Sequence, residues 1–108
     1  GRRHQVYLLI PLPLGNTKGL RIDVRAFVSK DNPIQKVIVT ANGKQQYAFS
    51  FTKFNGNFID IPISREDMEK NKTLRLHFQF LNAASPAQLG IGQDDRKLAI
   101  GFEKAVYY

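Results

Sequence analysis

The sequence contains no cysteine and only two histidines, and this scarcity excludes several kinds of site. Without cysteine the chain can form no disulfide framework, no thiolate metal site and no cysteine nucleophile. His4 lies near the start of the chain, and His77 lies on the polar side of a predicted strand. A single imidazole cannot build a histidine-ligated zinc centre, so we expect no metal site.

Long apolar runs and phosphate-binding loops are also lacking. The apolar run over residues 6–14 is too short to span a bilayer, and Pro11 and Pro13 interrupt it. Gly90 and Gly92 stand without the third glycine, the preceding strand and the following helix that a dinucleotide site requires. We therefore expect no membrane span within this sequence and no cofactor.

Acidic residues form no convincing catalytic pair. Asp94 and Asp95 are adjacent in a predicted loop, where an irregular backbone does not fix the carboxylate separation that glycoside hydrolysis needs. Glu66, Asp67 and Glu69 fit a short helix instead, because the helix dipole favours acids in the first turn. Serine occurs outside any nucleophile-elbow context. We expect no catalytic residue in this chain.

Length and composition describe one folded domain. The 108 residues are 43% hydrophobic and 23% charged, which is enough for a single hydrophobic core and too little for two. No internal repeat or linker divides them, so we expect one domain over residues 1–108. Because the chain begins with glycine rather than methionine, we expect it to be a piece of a larger protein.

Alternation of apolar and polar residues predicts strands along almost the whole chain. Apolar side chains recur at every second position from Leu20 and again from Leu74, with charged and polar residues between them. Because successive side chains of a strand point to opposite faces, this pattern predicts antiparallel strands with one buried and one solvated face. The predicted strands cover residues 5–10, 20–28, 34–41, 45–51, 58–63, 73–80 and 97–107.

Turn and helix signals complete the predicted fold. Asn42-Gly43 predicts a tight hairpin, because both residues tolerate positive φ. Residues 64–70 predict one or two helical turns with Ser64 as the N-cap. Seven short strands predict an all-β, antiparallel two-sheet β-sandwich, jelly-roll-like, with one short helix near 64–70. The predicted core residues are Ile22, Val24, Val37, Val39, Phe49, Phe51, Ile59, Ile61, Leu74, Leu76, Phe78, Leu98 and Ile100.

Aromatic residues are the first candidates for ligand contact, because a flat ring can cover a sugar or a base. Tyr47, Phe49 and Phe51 share one side of a predicted strand, which favours core packing over an exposed platform. Phe27 and Phe54 break the inward pattern, and we expect them to be exposed.

Basic residues are the second candidates. Sixteen lysines and arginines against nine acids give a net charge of +7, which favours partners such as nucleic acid, anionic lipid or acidic glycan. The charges are spread along the chain, so a solvated basic surface is the simpler interpretation. Arg21, Arg25 and Arg75 would form a positive strip if their strands are adjacent; otherwise they keep a sheet face solvated. The candidate ligand-binding residues are therefore Arg25, Phe27, Phe54, Arg75 and His77.

The segment over residues 85–101 carries the most specific signal. It reads SPAQLGIGQDDRKLAIG and resembles a recurrent S-P-x-x-L-G … D-x-R-x-L ending of accessory β-sandwich domains attached to bacterial cell-surface glycan enzymes. These enzymes include glycosyltransferases of surface-polysaccharide synthesis and membrane phosphoglycerol-transferase-like proteins. Such a loop is either held over a sheet edge by its own polar groups or in contact with a ligand. The motif positions are Ser85, Pro86, Gly90, Asp94 and Arg96.

The resemblance implies a non-catalytic, carbohydrate-binding-like accessory domain. Its partners would be a glycan and the catalytic domain of its parent, with no specific nucleic acid. The parent would be membrane-associated, with this domain on the periplasmic or the cytoplasmic face of the inner membrane. Two alternatives stay open: a purely structural domain that packs on its parent or on another copy, and a domain that binds anionic ligands such as nucleic acid or lipid headgroups.

Overall fold

The computed structural model describes residues 4–13, 15–81 and 100–108, and seven strands and one helix lie within them. The predicted all-β class and the single short helix are confirmed. The strand boundaries agree with the predicted ones to within a few residues, because the alternation of apolar and polar side chains begins and ends with each strand. The elements are β1 (His4–Pro11), β2 (Gly19–Ala26), β3 (Gln35–Ala41), β4 (Gln45–Phe51), β5 (Asn57–Pro62), α1 (Arg65–Lys70), β6 (Thr73–Phe80) and β7 (Ile100–Tyr107).

The strands form two antiparallel sheets, as predicted for a β-sandwich. One sheet has four strands in the order β1-β6-β3-β4, and the other has three in the order β5-β2-β7. Of the described strands, only β3 and β4 are both consecutive in the chain and paired; every other connection passes from one sheet to the other. Whether this winding follows the jelly-roll pattern stays a prediction.

The core lies between the two sheets and is built from the inward side of each strand. Phe78 and Leu76 of β6 are fully buried, as are Ile59 and Ile61 of β5. Phe49 and Ile100, which were predicted as core, are only partly buried and pack against the edge of the core. Phe49 lies on β4, which is the outermost of the described strands in its sheet. Leu98 lies outside the described residues.

The β3–β4 turn confirms the hairpin predicted from Asn42-Gly43. Both residues have positive φ, 51° and 69°, and the Lys44 N–H donates to the Ala41 carbonyl at 3.0 Å. Asn42 also ties the turn to β6. Its N–H donates to the Arg75 carbonyl at 2.8 Å, and its Oδ1 accepts from the Arg75 N–H at 2.9 Å.

Helix α1 is capped as its sequence predicts. The Ser64 hydroxyl accepts a hydrogen bond from the Asp67 N–H at 3.1 Å, and Glu66 and Lys70 form an i,i+4 ion pair at 2.6 Å. Met68 packs against the core and holds the helix there. In the described part of the chain, no helix is both long and apolar enough to cross a membrane.

The last strand joins the two sheets through a tyrosine hydroxyl. Tyr107 packs against the core, and its O–H donates to the Pro11 carbonyl at the end of β1, with an O···O distance of 2.8 Å. Burial raises the pKa of Tyr107 above its usual value of 10.0, because the charged phenolate is poorly solvated there.

Candidate functional site

The outward side of the four-stranded sheet, named here the outer face, presents its side chains in rows across the strands. Adjacent strands lie about 4.8 Å apart, so each row forms a continuous strip of side chains. Pro11, Leu9, Tyr7 and Gln5 are the outward residues of β1, since the residues between them pack against the core. The register places two rows side by side: Gln5, Gln79, Ile38 and Ala48 form one, and Tyr7, His77, Thr40 and Gln46 form the next.

An aromatic pair lies near the middle of this face. The rings of Tyr7 and His77 are stacked, with centroids 4.3 Å apart and planes inclined by 8°. His77 Nε2 lies 3.1 Å from Gln5 Oε1, which holds the imidazole in place. Tyr7 is nevertheless 65% exposed, because β1 is the outermost described strand of its sheet and His77 covers one side of the ring. The pair therefore offers solvent a flat aromatic surface whose orientation is set by two adjacent strands.

Leu9 extends the apolar surface along β1. It lies on the same side as Tyr7, two residues further along, and 68% of it is exposed. Two consecutive outward positions of one strand thus present large apolar side chains to solvent. Single exposed apolar residues are common on protein surfaces, whereas adjacent ones mark contact sites more often.

A depression of about 620 Å³, named here the basic groove, continues the outer face beyond Leu9. Its walls come from β1, from the β3–β4 turn, from the end of α1 with its connection to β6, and from the first part of β6. Hydrogen bonds fix two of them, since Asn42 is bonded to Arg75 and the Lys72 carbonyl accepts from the Leu12 N–H at 2.9 Å. The lining residues are Leu9, Asn42, Lys44, Lys70, Asn71, Lys72, Thr73 and Arg75.

The basic groove has four cationic side chains and no acidic one in its lining. Lys70 is paired with Glu66 on α1, which offsets its charge. Lys44, Lys72 and Arg75 form no ion pair with any residue that the structure describes. Three uncompensated cations around one depression create a positive potential that attracts anions.

The structure separates the five predicted ligand-binding residues into two groups. Arg75 and His77 are neighbours on the outer face, two positions apart on β6. Arg25 lies on β2 in the other sheet and pairs with Glu103 at 3.8 Å. The condition for a positive strip of Arg21, Arg25 and Arg75 is not met, because β2 and β6 belong to different sheets and their outward residues point away from each other.

Phe27 and Phe54 form a T-shaped pair, with ring centroids 5.8 Å apart and planes at 70°. Phe54 is 41% exposed, as predicted, whereas Phe27 is only partly exposed because Phe54 packs on it. The backbone carbonyl of Phe54 accepts from the Ala26 N–H at 3.1 Å, so the pair closes the end of β2. That Phe27 and Phe54 contact a ligand stays a prediction.

The loop motif lies outside the described residues. Its two interpretations, a loop fixed by its own polar groups or a ligand contact, therefore stay predictions. The motif positions are Ser85, Pro86, Gly90, Asp94 and Arg96.

A second aromatic surface lies where the edges of β4 and β5 approach each other. Tyr108 is 54% exposed, and its hydroxyl donates a hydrogen bond to Asp60 Oδ1. This hydrogen bond, more than burial, raises the pKa of Tyr108 above 10.0. The Tyr47 hydroxyl donates to Gln45 Oε1 at 2.6 Å. Two of the hydroxyl groups of this surface therefore already have hydrogen-bond partners within the chain.

Sequence reasoning missed Tyr7 and the lysines of the groove. Tyr7 alternates with inward Val6 and Leu8, and this alternation is the signal that could have identified it as an exposed aromatic residue. Lys44 and Lys72 lie 28 positions apart and meet only because β3 pairs with β6, which no local pattern reveals.

Among the residues that the structure describes, no three histidine, aspartate or glutamate side chains are grouped so that they could hold a metal ion. No protein-family model, curated protein or solved structure shows significant similarity to this chain.

Proposed function

We propose that this chain is a non-catalytic carbohydrate-binding module that serves as an accessory domain of a bacterial surface-glycan enzyme. The observation that carries the proposal is the exposed ring of Tyr7, stacked on His77 amid neutral polar side chains of the outer face. The glycan context comes from the resemblance of residues 85–101 to such accessory domains. The module would hold the glycan while a catalytic domain elsewhere in the parent protein acts on it.

The chemistry of the outer face suits a sugar. One side of a pyranose ring carries mainly C–H groups, and an aromatic ring such as that of Tyr7 can cover them. The hydroxyl groups around the sugar need both donors and acceptors, which amide and hydroxyl side chains supply. Gln79, Thr40 and Gln46 provide such groups in the two rows that contain Tyr7 and Gln5.

The position of these residues on paired strands also favours binding. A side chain on a rigid strand loses less conformational entropy on binding than one on a loop. The contact between Tyr7 and His77 and the contact between His77 and Gln5 further restrict the aromatic surface before any ligand arrives.

A second candidate function is supported by Leu9. Its exposure beside Tyr7 on an edge strand also fits a surface that packs against the parent protein or a second copy of this chain. The two functions make different predictions. A docking surface binds no free glycan, whereas a carbohydrate-binding module does so as an isolated chain.

Affinity electrophoresis through gels that contain a neutral polysaccharide tests the proposal. Glucomannan, xylan, mixed-linkage β-glucan and starch provide a range of neutral sugars. We expect at least one of them to retard the chain, and Tyr7→Ala to weaken the apparent affinity about tenfold. Phe58→Ala is the matched control, because Phe58 is an exposed aromatic residue on the outward side of the other sheet.

Two results would overturn the proposal. One is an absence of retardation in all four gels. The other is retardation that Tyr7→Ala leaves unchanged, which would place the glycan elsewhere on the molecule. Retardation lost in Tyr7→Ala and retained in Phe58→Ala would support it.

A further inference from the structure

The basic groove adds a charge requirement to the proposed glycan. We propose that Lys44, Lys72 and Arg75 bind a negatively charged substituent of the sugar chain, so that the ligand class is an acidic polysaccharide. This inference rests on the proposed function and narrows its substrate class. A carboxylate, a phosphate and a sulfate share the chemistry that three cations recognise.

The groove and the aromatic surface are close enough for one ligand to contact both. Leu9 follows Tyr7 by two positions on β1, and Arg75 precedes His77 by two positions on β6. Two residues of an extended strand span about 7 Å. If one sugar unit of a polysaccharide stacks on Tyr7, the next sugar unit would therefore lie at the mouth of the basic groove.

The cations of the groove are not explained by the helix alone. Lys70 lies in the last turn of α1, where positive charge complements the helix dipole, and Lys72 follows the helix by two positions. Lys44 comes from the β3–β4 turn and Arg75 from β6, and neither belongs to the helix. Gathering these cations with no acidic partner among the described residues costs electrostatic energy that a bound anion offsets.

The distribution of charge distinguishes an acidic glycan from a nucleic acid. In the two rows between Arg75 and Lys36, the outward positions carry no lysine, arginine, aspartate or glutamate. A nucleic acid has a negative charge on every nucleotide and needs cations along its whole path. A polysaccharide in which charged and neutral groups alternate matches a face on which two neutral rows separate the cations of the groove from Lys36. An anionic membrane would need a basic plane, whereas these cations surround a depression.

The test compares each acidic sugar with a form of the same sugar in which the carboxylates have been reduced to uncharged alcohols. A galacturonate hexasaccharide and a hyaluronan hexasaccharide are each measured beside a carboxyl-reduced counterpart by titration calorimetry at low ionic strength. We expect at least one acidic sugar to bind about tenfold more tightly than its reduced form, and the difference to shrink as salt is added.

Paired variants locate the effect. Lys44→Gln combined with Lys72→Gln should remove most of the preference for the acidic form, because only Arg75 of the three proposed cations remains, and should weaken binding of the acidic form more than binding of the reduced form. Lys53→Gln combined with Lys104→Gln removes the same net charge away from the groove and should keep the preference. Loss of the preference in both double variants would overturn the inference, because it would reflect net charge alone.

Further outcomes separate this inference from the proposed function. Equal affinity for the acidic and reduced forms, with binding that still depends on Tyr7, overturns the inference and leaves the glycan module intact. Binding of neither form overturns the inference alone, because the proposed function is decided by the gels that contain the four neutral polysaccharides. Tighter binding of a uridine hexanucleotide, or of phosphatidylglycerol vesicles, than of both acidic sugars would also overturn it and assign the groove to that ligand.

Discussion

The rings of Tyr7 and His77 stack across the β1–β6 pair with their centroids 4.3 Å apart, yet most of Tyr7 remains exposed to solvent. Such a pair contributes little to the stability of the fold, since a cross-strand aromatic pair typically adds roughly 0.2 to 1 kcal/mol to the free energy of unfolding. A large exposed ring with a small structural role is free to serve a ligand. This relationship links the fold to the proposed function.

The first prediction separates the two roles of Tyr7. Tyr7→Ala should lower the free energy of unfolding by only about 0.5 kcal/mol, because the ring buries little area. Urea denaturation measures this change. Phe78→Ala, which empties a fully buried position on β6, should cost about 3 to 5 kcal/mol and calibrates the assay. A loss of more than about 2 kcal/mol of unfolding free energy in Tyr7→Ala would show that the ring supports the sheet. Weaker glycan binding by that variant could then reflect a disturbed fold and would no longer identify Tyr7 as a ligand contact.

The second prediction concerns Asn42, which has positive φ and accepts the Arg75 N–H through Oδ1. Asn42→Gly should keep the turn geometry and lose the hydrogen bond, at about 1 kcal/mol. Asn42→Ala loses the bond and also strains the turn, so it should cost about 2 to 3 kcal/mol. Urea denaturation of the two variants compares these costs. Equal losses in both would mean that the left-handed backbone carries no strain here.

The third prediction follows from the raised pKa of Tyr107. The folded chain keeps the phenol protonated at a pH where the unfolded chain has begun to release its proton. Stability from this group is therefore complete below pH 10.0 and is lost as the pH rises through the folded pKa. Tyr108 acts in the same direction through Asp60.

Unfolding in urea at several alkaline pH values measures this effect. Tyr107→Phe should be less stable than the parent chain near neutral pH, because the hydrogen bond to the Pro11 carbonyl is gone. It should also lose less stability than the parent chain as the solution becomes alkaline. A stability that falls equally with pH in both chains would contradict the assignment of the effect to Tyr107.

The fourth prediction concerns the contact between Gly19 and Tyr108. A Cβ at position 19 would lie 2.6 Å from the Tyr108 hydroxyl oxygen and 3.1 Å from the Ile61 carbonyl oxygen. Gly19→Ala should therefore push the Tyr108 ring away from Asp60 and cost about 1 to 2 kcal/mol. Because the Asp60 hydrogen bond is the main cause of the raised pKa of Tyr108, that pKa should return toward 10.0.

An ultraviolet titration of the tyrosines measures the change in the Gly19→Ala variant. Gly101→Ala is the matched control, since its Cβ would meet only Phe27 at an ordinary distance of 3.8 Å. A Tyr108 pKa that stays raised in Gly19→Ala would show that the ring keeps its place despite the added methyl group.

Local patterns predict the elements of this fold well and their arrangement in space poorly. The alternation from Leu20 and from Leu74 marks strands because one face of each is buried, and Ser64 marks a helix start because its hydroxyl caps the first turn. Strand adjacency leaves no such pattern. Whether Arg21, Arg25 and Arg75 form one strip could not be decided from the sequence for that reason, and the sheet order shows that they do not.

The candidate site depends on the same kind of information. His77 and Arg75 could be identified as outward residues from the alternation along β6. Their neighbours could not, because the Tyr7 stack and the basic groove arise from the pairing of β1 and β3 with β6. Lys44 and Lys72 come from separate connections, and only the folded chain brings them to one depression.

The central claim is that a glycan binds the outer face, and chemical-shift mapping tests it most directly. The ¹⁵N-labelled chain is titrated up to millimolar concentration with hexasaccharides of glucomannan, xylan, mixed-linkage β-glucan and starch. The account predicts saturable shifts that cluster at Tyr7, His77 and Gln79 and leave Phe58 on the other sheet unchanged. Saturable shifts confined to the other sheet, or no shifts with any sugar, would contradict it.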